Sequence, residues 1–236
     1  NVLTIEIEPV GAALKYQLGQ FAFLKMKVPG LREPHPFTIA SSPDEKCLRF
    51  VIRDLGDWTH RLASSLALND RIVVEGPYGH LAPMPHHPVD HIIWVAGGVG
   101  ITPFLGTSIS RLVDDGPTPH LFYCVPSRHN APAIEVLEMA ARLGRIHLHV
   151  HASDEKNRIQ PQHVTAAIGG GELHNAHIVM CGPDSLVKSM KTGLRQHGAR
   201  HLHVEGFDMR SGIGPDLSRY LDDVVRTQLH RLTAKK

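Results

Sequence analysis

Val95-Ala96-Gly97-Gly98-Val99-Gly100-Ile101-Thr102-Pro103-Phe104 decides how this chain folds. The apolar run Ile92-Ile93-Trp94 just before it reads as a buried strand, and the residues after it have the apolar spacing of an amphipathic helix. Glycines at a strand-to-helix junction let backbone come close to a phosphate. The first helical turn then presents unpaired N–H groups and the positive end of its dipole. Thr102 is expected as the N-cap and Pro103 as the first helical residue. The spacing departs from the dinucleotide fingerprint G-x-G-x-x-G, because Pro103 stands where the third glycine belongs. On this stretch alone two readings stand, a phosphate-binding turn and a purely structural strand-to-helix turn.

Downstream the pattern alternates. Strands are expected at 91–96, 120–125, 146–152, 177–181 and 201–205, with helices at 103–113, 132–143, 161–167 and 184–197. Strands interleaved with helices in this way predict a parallel sheet covered on both faces. Ligands then bind beyond the carboxyl ends of the strands, where the glycine turn and Cys181-Gly182-Pro183 both fall. Upstream, Val2–Ile7, Phe21–Met26, Leu48–Ile52 and Arg71–Val74 read as short strands of a small antiparallel barrel or sandwich, interrupted by one brief helix over 59–66. Pro83, Pro85 and Pro88 punctuate a linker. The expected division is a β-barrel domain over 1–84, an α/β nucleotide-binding domain over 90–210 and a helical tail over 211–236. In that tail Leu217, Leu221, Val224, Val225, Leu229 and Leu232 recur at helical spacing.

Composition removes several classes of function. At 236 residues with a formal net charge of +2, the chain carries no electrostatic footprint for nucleic acid. Cys47, Cys124 and Cys181 are too widely spaced for a disulfide framework, a zinc site or an iron–sulfur cluster. No stretch is long and apolar enough to cross a bilayer as a helix, and no signal peptide is legible. The first residue is Asn1 and a strand pattern begins at once, which reads as a piece of a longer protein.

Two further motifs lie upstream. His35-Pro36-Phe37-Thr38 offers a polar head, an aromatic ring and a hydroxyl, a set suited to a flavin. Taken alone, it is a proline-bounded loop running into a strand Thr38-Ile39-Ala40. Gly56-Asp57-Trp58-Thr59-His60-Arg61-Leu62 opens the short helix and is either a second anion site or an ordinary capped start.

Taken in order, these motifs resemble the ferredoxin–NADP reductase superfamily, in particular the dehydrogenase module of the ferric reductase and NADPH oxidase branch. His35-Pro36-Phe37-Thr38 is similar to its flavin motif, with His35 in place of the more usual Arg. Gly56, Thr59 and Leu62 match G-x-x-[ST]-x-x-L, and Gly76-Pro77-Tyr78-Gly79 matches G-P-[YF]-G. Gly97 to Pro103 match G-G-x-G-x-T-P, Cys181-Gly182-Pro183 matches C-G-P, and Glu205 with Phe207 matches the terminal E-x-F. The family usually has one more barrel strand ahead of Asn1, often ends soon after the last strand, and in its membrane members carries a haem-binding helical domain upstream.

The resemblance implies FAD and a nicotinamide nucleotide as cofactors. His35 and Pro36 would lie along the flavin phosphates, Phe37 against the isoalloxazine and Thr38 at N5. Val51, Gly56 and Thr59 would join the flavin site. Gly97, Gly98, Gly100, Thr102, Pro103, Cys181, Gly182 and Pro183 would hold the nicotinamide nucleotide, with Thr38 and Cys181 nearest the chemistry. Ser127 and Arg128 follow the second strand of the α/β half with no carboxylate beside them, so they are expected to take a ribose 2′-phosphate, with Arg158 as helper, and to favour NADPH over NADH. Phe207 would cover the flavin ring. The implied activity is an NAD(P)H-dependent flavoprotein reductase passing electrons to a metal centre, haem or ferric iron, or to oxygen. Its acceptor would be a haem-bearing membrane domain upstream, with this module on the cytoplasmic side. A soluble ferredoxin- or flavodoxin-type reductase and a flavin-binding sensor or assembly module without turnover are the alternatives.

Histidine is abundant, with 18 in the chain. His147, His149 and His151 alternate along one predicted strand, and His201 and His203 along another, so each set shares a face. Three histidines on one face are a donor set for zinc or copper, whereas strand-end histidines under a helix layer need no metal. No metal site is assigned.

Overall fold

A computed structural model describes residues 2–79, 81–110 and 116–206. Its N-terminal half holds β1 (Val2–Ile7), β2 (Phe21–Met26), β3 (His35–Thr38), β4 (Leu48–Arg53), α1 (Asp57–Ser65) and β5 (Ile72–Tyr78). Strand β1 pairs antiparallel with β4, and β3, β2 and β5 form a second antiparallel sheet in that order. The two sheets meet at one corner, where the Ala40 N–H donates to the Arg49 carbonyl and the Arg49 N–H to the Ser41 hydroxyl. Alternate residues of both sheets, among them Ile5, Leu24, Met26, Phe50 and Ile52, bury a shared core closed by Trp58 and Leu62 of α1. Each such side chain contributes about 1.5–3 kcal/mol by leaving water.

One expectation changes here. His35-Pro36-Phe37-Thr38 is not a loop before a strand; it is β3 itself, in register from Leu24↔His35 to Phe21↔Thr38. Strand β3 lies at the edge of its sheet, where the N–H that Pro36 lacks is least missed.

The C-terminal half alternates β6 (His91–Gly97), α2 (Thr102–Ile109), β7 (His120–Val125), α3 (Ile134–Arg142), β8 (His147–Ala152), α4 (Pro161–Ala167), β9 (Ala176–Gly182), α5 (Asp184–Gln196) and β10 (His201–Gly206). The five strands form one parallel sheet in the order β10-β9-β6-β7-β8. Strand periodicity sorts the core. Ile92, Trp94, Leu121 and Tyr123 face Phe104 of α2 and Leu137 of α3, while Ile93, Val95, Phe122 and Ile178 face Val164 of α4 and Met190 of α5. The first cluster also takes in Ala40 and Val51, so the two halves share a core.

The linker between the halves is stapled down. The indole N–H of fully buried Trp94 donates to the Pro83 carbonyl at 2.8 Å, and His177 Nε2 lies 2.9 Å from the Ala82 carbonyl.

Thr102 is not the N-cap. Gly98–Ile101 form a turn of 3-10 helix that runs straight into α2, so Thr102 already has helical backbone angles and its N–H donates to the Val99 carbonyl. Pro103 is accordingly the second helical residue. Helix α2 ends at Ile109, with the Ser110 N–H bonded to the Gly106 carbonyl, and residues 111–113 of the expected helix lie outside the described residues. Phe207 and the tail over 211–236 also lie outside them.

Candidate functional site

Strands β6 and β9 are neighbours in the sheet although β7 and β8 come between them in the chain; the chain runs outward through β7 and β8, then returns to β9 on the other side. Such a reversal opens a crevice at the carboxyl ends of the strands. Glycine makes the crevice possible. A Cβ on Gly97 would stand 2.6 Å from Pro183 Cδ, and one on Gly100 would stand 2.4 Å from the Cys181 carbonyl oxygen. The two strand ends therefore approach more closely than any side chain would permit. Gly98 is different: its φ of +55° lies in the left-handed region and the space beside it is open, so there the turn faces a void.

That void is a cleft of about 470 Å³, a size suited to a small organic ligand. It runs across four strand ends, from Gly182 and Pro183 at the end of β9, over Gly97–Gly100 at the end of β6 and Cys124–Pro126 at the end of β7, to His151 and Ser153 at β8. Arg158 and Gln160 line its β8 end, and Arg53 reaches in from β4 of the other half. Of the expected nucleotide residues, Gly97, Gly98, Gly100, Arg158, Gly182 and Pro183 line the cleft. Thr102, Pro103 and Cys181 are buried beside it, and Val51 shares the core cluster that holds Cys181, Ala96 and Ile101.

Ser127 and Arg128 are not among the lining residues. They open a 3-10 turn after β7, and the Arg128 guanidinium pairs with Glu138 of α3 at 2.8 Å. Arg158 stands in the cleft instead.

The thiols at and beside the cleft are uncharged. Burial pushes the Cys181 thiol well above its ordinary range, with Glu205 adding to the effect, and burial pushes Cys124 up to about 12. Both are neutral thiols near pH 7. Glu205 pairs in register with Cys181 across β10 and β9 and is 6% exposed. Its Oε2 is buried with no hydrogen-bond partner among the described residues, and burial raises the carboxyl to about 7.

On the other half, His35 and Phe37 lie on one side of β3 and pack on Trp58, with ring centroids 4.6 and 5.5 Å away. Pro36 and Thr38 point to the opposite, buried side. The indole N–H of Trp58 is buried without a partner among the described residues. A half-buried aromatic surface beside an unmatched donor fits a planar heteroaromatic group such as a flavin. The Thr59 hydroxyl accepts from the N–H groups of Leu55 and Gly56 at 2.9 and 3.0 Å and donates to the Gly56 carbonyl. It is engaged within its own turn, which it fixes.

Sequence reasoning missed Arg53, His151, Ser153, Trp58 and the chemistry of Glu205. His151 had a signal, being the last of three alternating histidines, and so had Trp58, inside a quoted motif. Arg53 had none, because only the tertiary fold brings β4 to the cleft.

Residues 1–82 match the FAD-binding domain family and residues 94–192 match the oxidoreductase NAD-binding domain family. The chain is 25% identical over 202 residues to the electron transfer component of 2-halobenzoate 1,2-dioxygenase from Burkholderia cepacia, covering 81% of this chain and 58% of that protein. It is 37% identical over 97 residues to rat NADPH oxidase 3, covering 36% of this chain and 17% of the oxidase. To Arabidopsis thaliana ferric reduction oxidase 7 it is 34% identical over 110 residues, covering 39% and 15%. The chain thus spans only part of each relative's length. Its fold is that of the FAD/NAD-binding domain of nitric oxide dioxygenase from Vibrio cholerae, with a TM-score of 0.72 at 19% identity, covering 87% of this chain and 92% of that one.

Proposed function

We propose, for a chain that belongs to the ferredoxin–NADP reductase superfamily and is related to NADPH oxidases and ferric reductases, that it takes electrons from NADPH through FAD and hands them to a metal centre or to oxygen. The observation that carries this reading is the cleft at the β6/β9 reversal, lined by Gly97–Gly100, Gly182 and Pro183 and also by Arg53 from the flavin-binding half.

When bound, the nicotinamide supplies a hydride and the flavin accepts it, later releasing electrons singly. The protein's part is binding, orientation and exclusion of water. Phe37 and His35 present the aromatic surface for the isoalloxazine and its phosphates, with Pro36 shaping the strand between them. Thr38, the last residue of β3, would be the residue nearest N5, and Val51 would back the ring. The first turn of α1, held by Gly56 and Thr59, offers its N–H groups to the flavin phosphates. Across the cleft, Gly97, Gly98 and Gly100 let the dinucleotide lie on the backbone. Thr102, Pro103, Cys181, Gly182 and Pro183 shape the nicotinamide end. A neutral Cys181 thiol adds no competing charge there, and hydride transfer asks no side chain to act as a base. The ribose 2′-phosphate falls to Arg158 rather than to Ser127 and Arg128, since Arg128 is already paired with Glu138. Phe207, outside the described residues, is assigned to cover the flavin ring.

The same reading divides the chain into a flavin domain over 1–84, a nucleotide domain over 90–210 and a tail over 211–236. It places the acceptor in a haem-bearing membrane domain upstream and this module on the cytoplasmic side. Among the described residues no helix is long and apolar enough to cross a membrane. A second reading, a soluble electron-transfer component serving another protein, draws on the Burkholderia relative, whose match covers more of this chain than the oxidase matches do.

The test is anaerobic addition of NADPH to the FAD-loaded protein. Bleaching of the flavin band near about 450 nm is expected, with little change when FMN replaces FAD during loading. A flavin that binds and does not bleach would leave only a non-turnover binding module.

A further inference from the structure

We propose that His151 is a specificity residue of the nucleotide site, pairing with Arg158 at the β8 end of the cleft to take the ribose 2′-phosphate and holding one proton between imidazole and phosphate. This rests on reading the cleft as a dinucleotide site and says which end of the ligand each residue meets.

The direction follows from the fold. The reactive ring has to lie where the two halves meet, at the β6/β9 end above Cys181 and near Arg53. The cleft then leaves the adenosine half of the ligand over β7 and β8, the end lined by His151, Ser153, Arg158 and Gln160. No carboxylate lines the cleft among the described residues, so nothing there is placed to receive the free ribose 2′-hydroxyl of NADH.

His151 is held for this task. Its Nδ1 lies 3.1 Å from Asn157 Oδ1, and the Asn157 amide nitrogen donates to the Val150 carbonyl at 3.4 Å. The second bond fixes the amide, so its oxygen faces the imidazole and Nδ1 carries the hydrogen. Nε2 is therefore the nitrogen that gains the second proton. The ring stacks on His163 of α4 at 5.0 Å and 17°, with Phe122 of β7 on the same side of the sheet at 6.1 Å. His163 accepts the Gln160 N–H at its own Nδ1, 3.1 Å away, which ties the stack to the lining residue Gln160.

The surrounding charges make the proton conditional on ligand. His149 precedes it on β8, His163 faces it from α4 and Cys124 from β7, and Arg158 and Arg53 share the cleft. Asp154, Glu155 and Lys156 sit in the adjoining turn and are exposed. Burial lowers the affinity of His151 for its proton and His163 lowers it further, against an opposing contribution from Asn157. A phosphate dianion at Nε2 reverses the balance. A phosphate monoester has its second pKa near about 6, so the one-proton complex forms readily at pH 6 and loses its proton above neutrality. Arg158 alone would prefer the dianion, so without His151 the pH dependence flattens or changes sign.

The experiment titrates the FAD-loaded full chain with adenosine 2′,5′-bisphosphate and with adenosine 5′-monophosphate at pH 6 and pH 8, for the wild type, His151→Gln and His151→Phe. The Phe variant keeps an aromatic ring against His163 and Phe122 should the Gln variant fold poorly. The wild type should bind the bisphosphate about five- to tenfold more tightly at pH 6 than at pH 8, and the monophosphate with little pH dependence. Both variants should lose that preference for low pH while binding the monophosphate as before. Unchanged pH dependence in the variants, or equal loss of both probes, would overturn the role of His151. A wild type that binds the monophosphate with no gain from the 2′-phosphate would overturn it too. If neither probe binds the wild type, the dinucleotide reading of the cleft itself fails.

Discussion

Replacing Glu205 by Gln isolates the cost of burying a carboxyl that has no hydrogen-bond partner among the described residues. Glu205 is 6% exposed, and the folded protein raises it from an ordinary 4.5 to about 7. At about 1.4 kcal/mol per pH unit of displacement, that difference corresponds to roughly 3 kcal/mol. The sign follows from where the proton goes. The folded state holds the proton more tightly than the unfolded state, so the contribution to stability is fully present below pH 4.5 and is lost as pH rises through 7. Gln keeps the shape and cannot ionise. Every other titrating group is common to both proteins, so the difference between their pH profiles reports Glu205 alone. Urea unfolding at pH 4.5, 6, 7 and 8 should show near-equal stabilities at the acid end. The variant should gain on the wild type between pH 4.5 and 7, reaching an advantage of about 3 kcal/mol at pH 8. Profiles that run parallel across this range would refute the reasoning, because they would mean the carboxyl finds a partner or water when it ionises.

Gly100→Ala drives a Cβ to 2.4 Å from the Cys181 carbonyl oxygen, so thermal unfolding should show a loss of about 1–3 kcal/mol, together with weaker nicotinamide nucleotide binding in titration. Arg158→Ala should raise KM for NADPH about tenfold and leave that for NADH nearly unchanged, whereas Arg128→Ala should alter neither; steady-state kinetics with both nucleotides decide between the two arginines. Thr59→Val removes the hydroxyl that gathers the Leu55 and Gly56 N–H groups, so the protein should lose about 1 kcal/mol in denaturant unfolding and bind FAD less tightly in fluorescence titration. A Thr59→Ser variant, which keeps the hydroxyl, should behave like the wild type in both measurements.

The α/β half was legible because its signals are local and redundant. The central strands β6, β7 and β9 are largely apolar runs, α3 and α5 have an amphipathic period, and glycine or proline marks most joints; the expected strand 120–125 is β7 to the residue. The N-terminal half was harder to bound. An edge strand containing proline, such as His35–Thr38, looks like a loop until its pairing partner is known. Thr102 misled for a similar reason: a threonine before a proline at a helix start has the look of a cap, and nothing in the string shows the 3-10 turn that carries the helix back through Gly98. In the site, glycines were found because close backbone approach demands them. Arg128 stands out in the sequence because it follows a strand directly, whereas its pairing with Glu138, ten positions later, is visible only in the folded chain. Long-range pairing of charge, like the arrival of Arg53 from β4, is a property of the folded chain and leaves no periodic trace.

The stapled linker decides where this protein can be cut. Trp94 sits at the centre of the sheet, yet the acceptor for its indole N–H is the carbonyl of Pro83, and the imidazole of His177 leans on the carbonyl of Ala82. A nucleotide-binding fragment beginning at Asp90 would keep every strand and helix of its sheet and still leave the Trp94 donor stranded in an apolar interior, at a cost of about 1–3 kcal/mol. One beginning at Leu81 carries its own acceptors. For anyone exchanging halves between reductases, or tracing how such halves were joined in the first place, the transferable unit therefore starts before the prolines, and the segment that looks like spacer is the first piece of the second domain's interior.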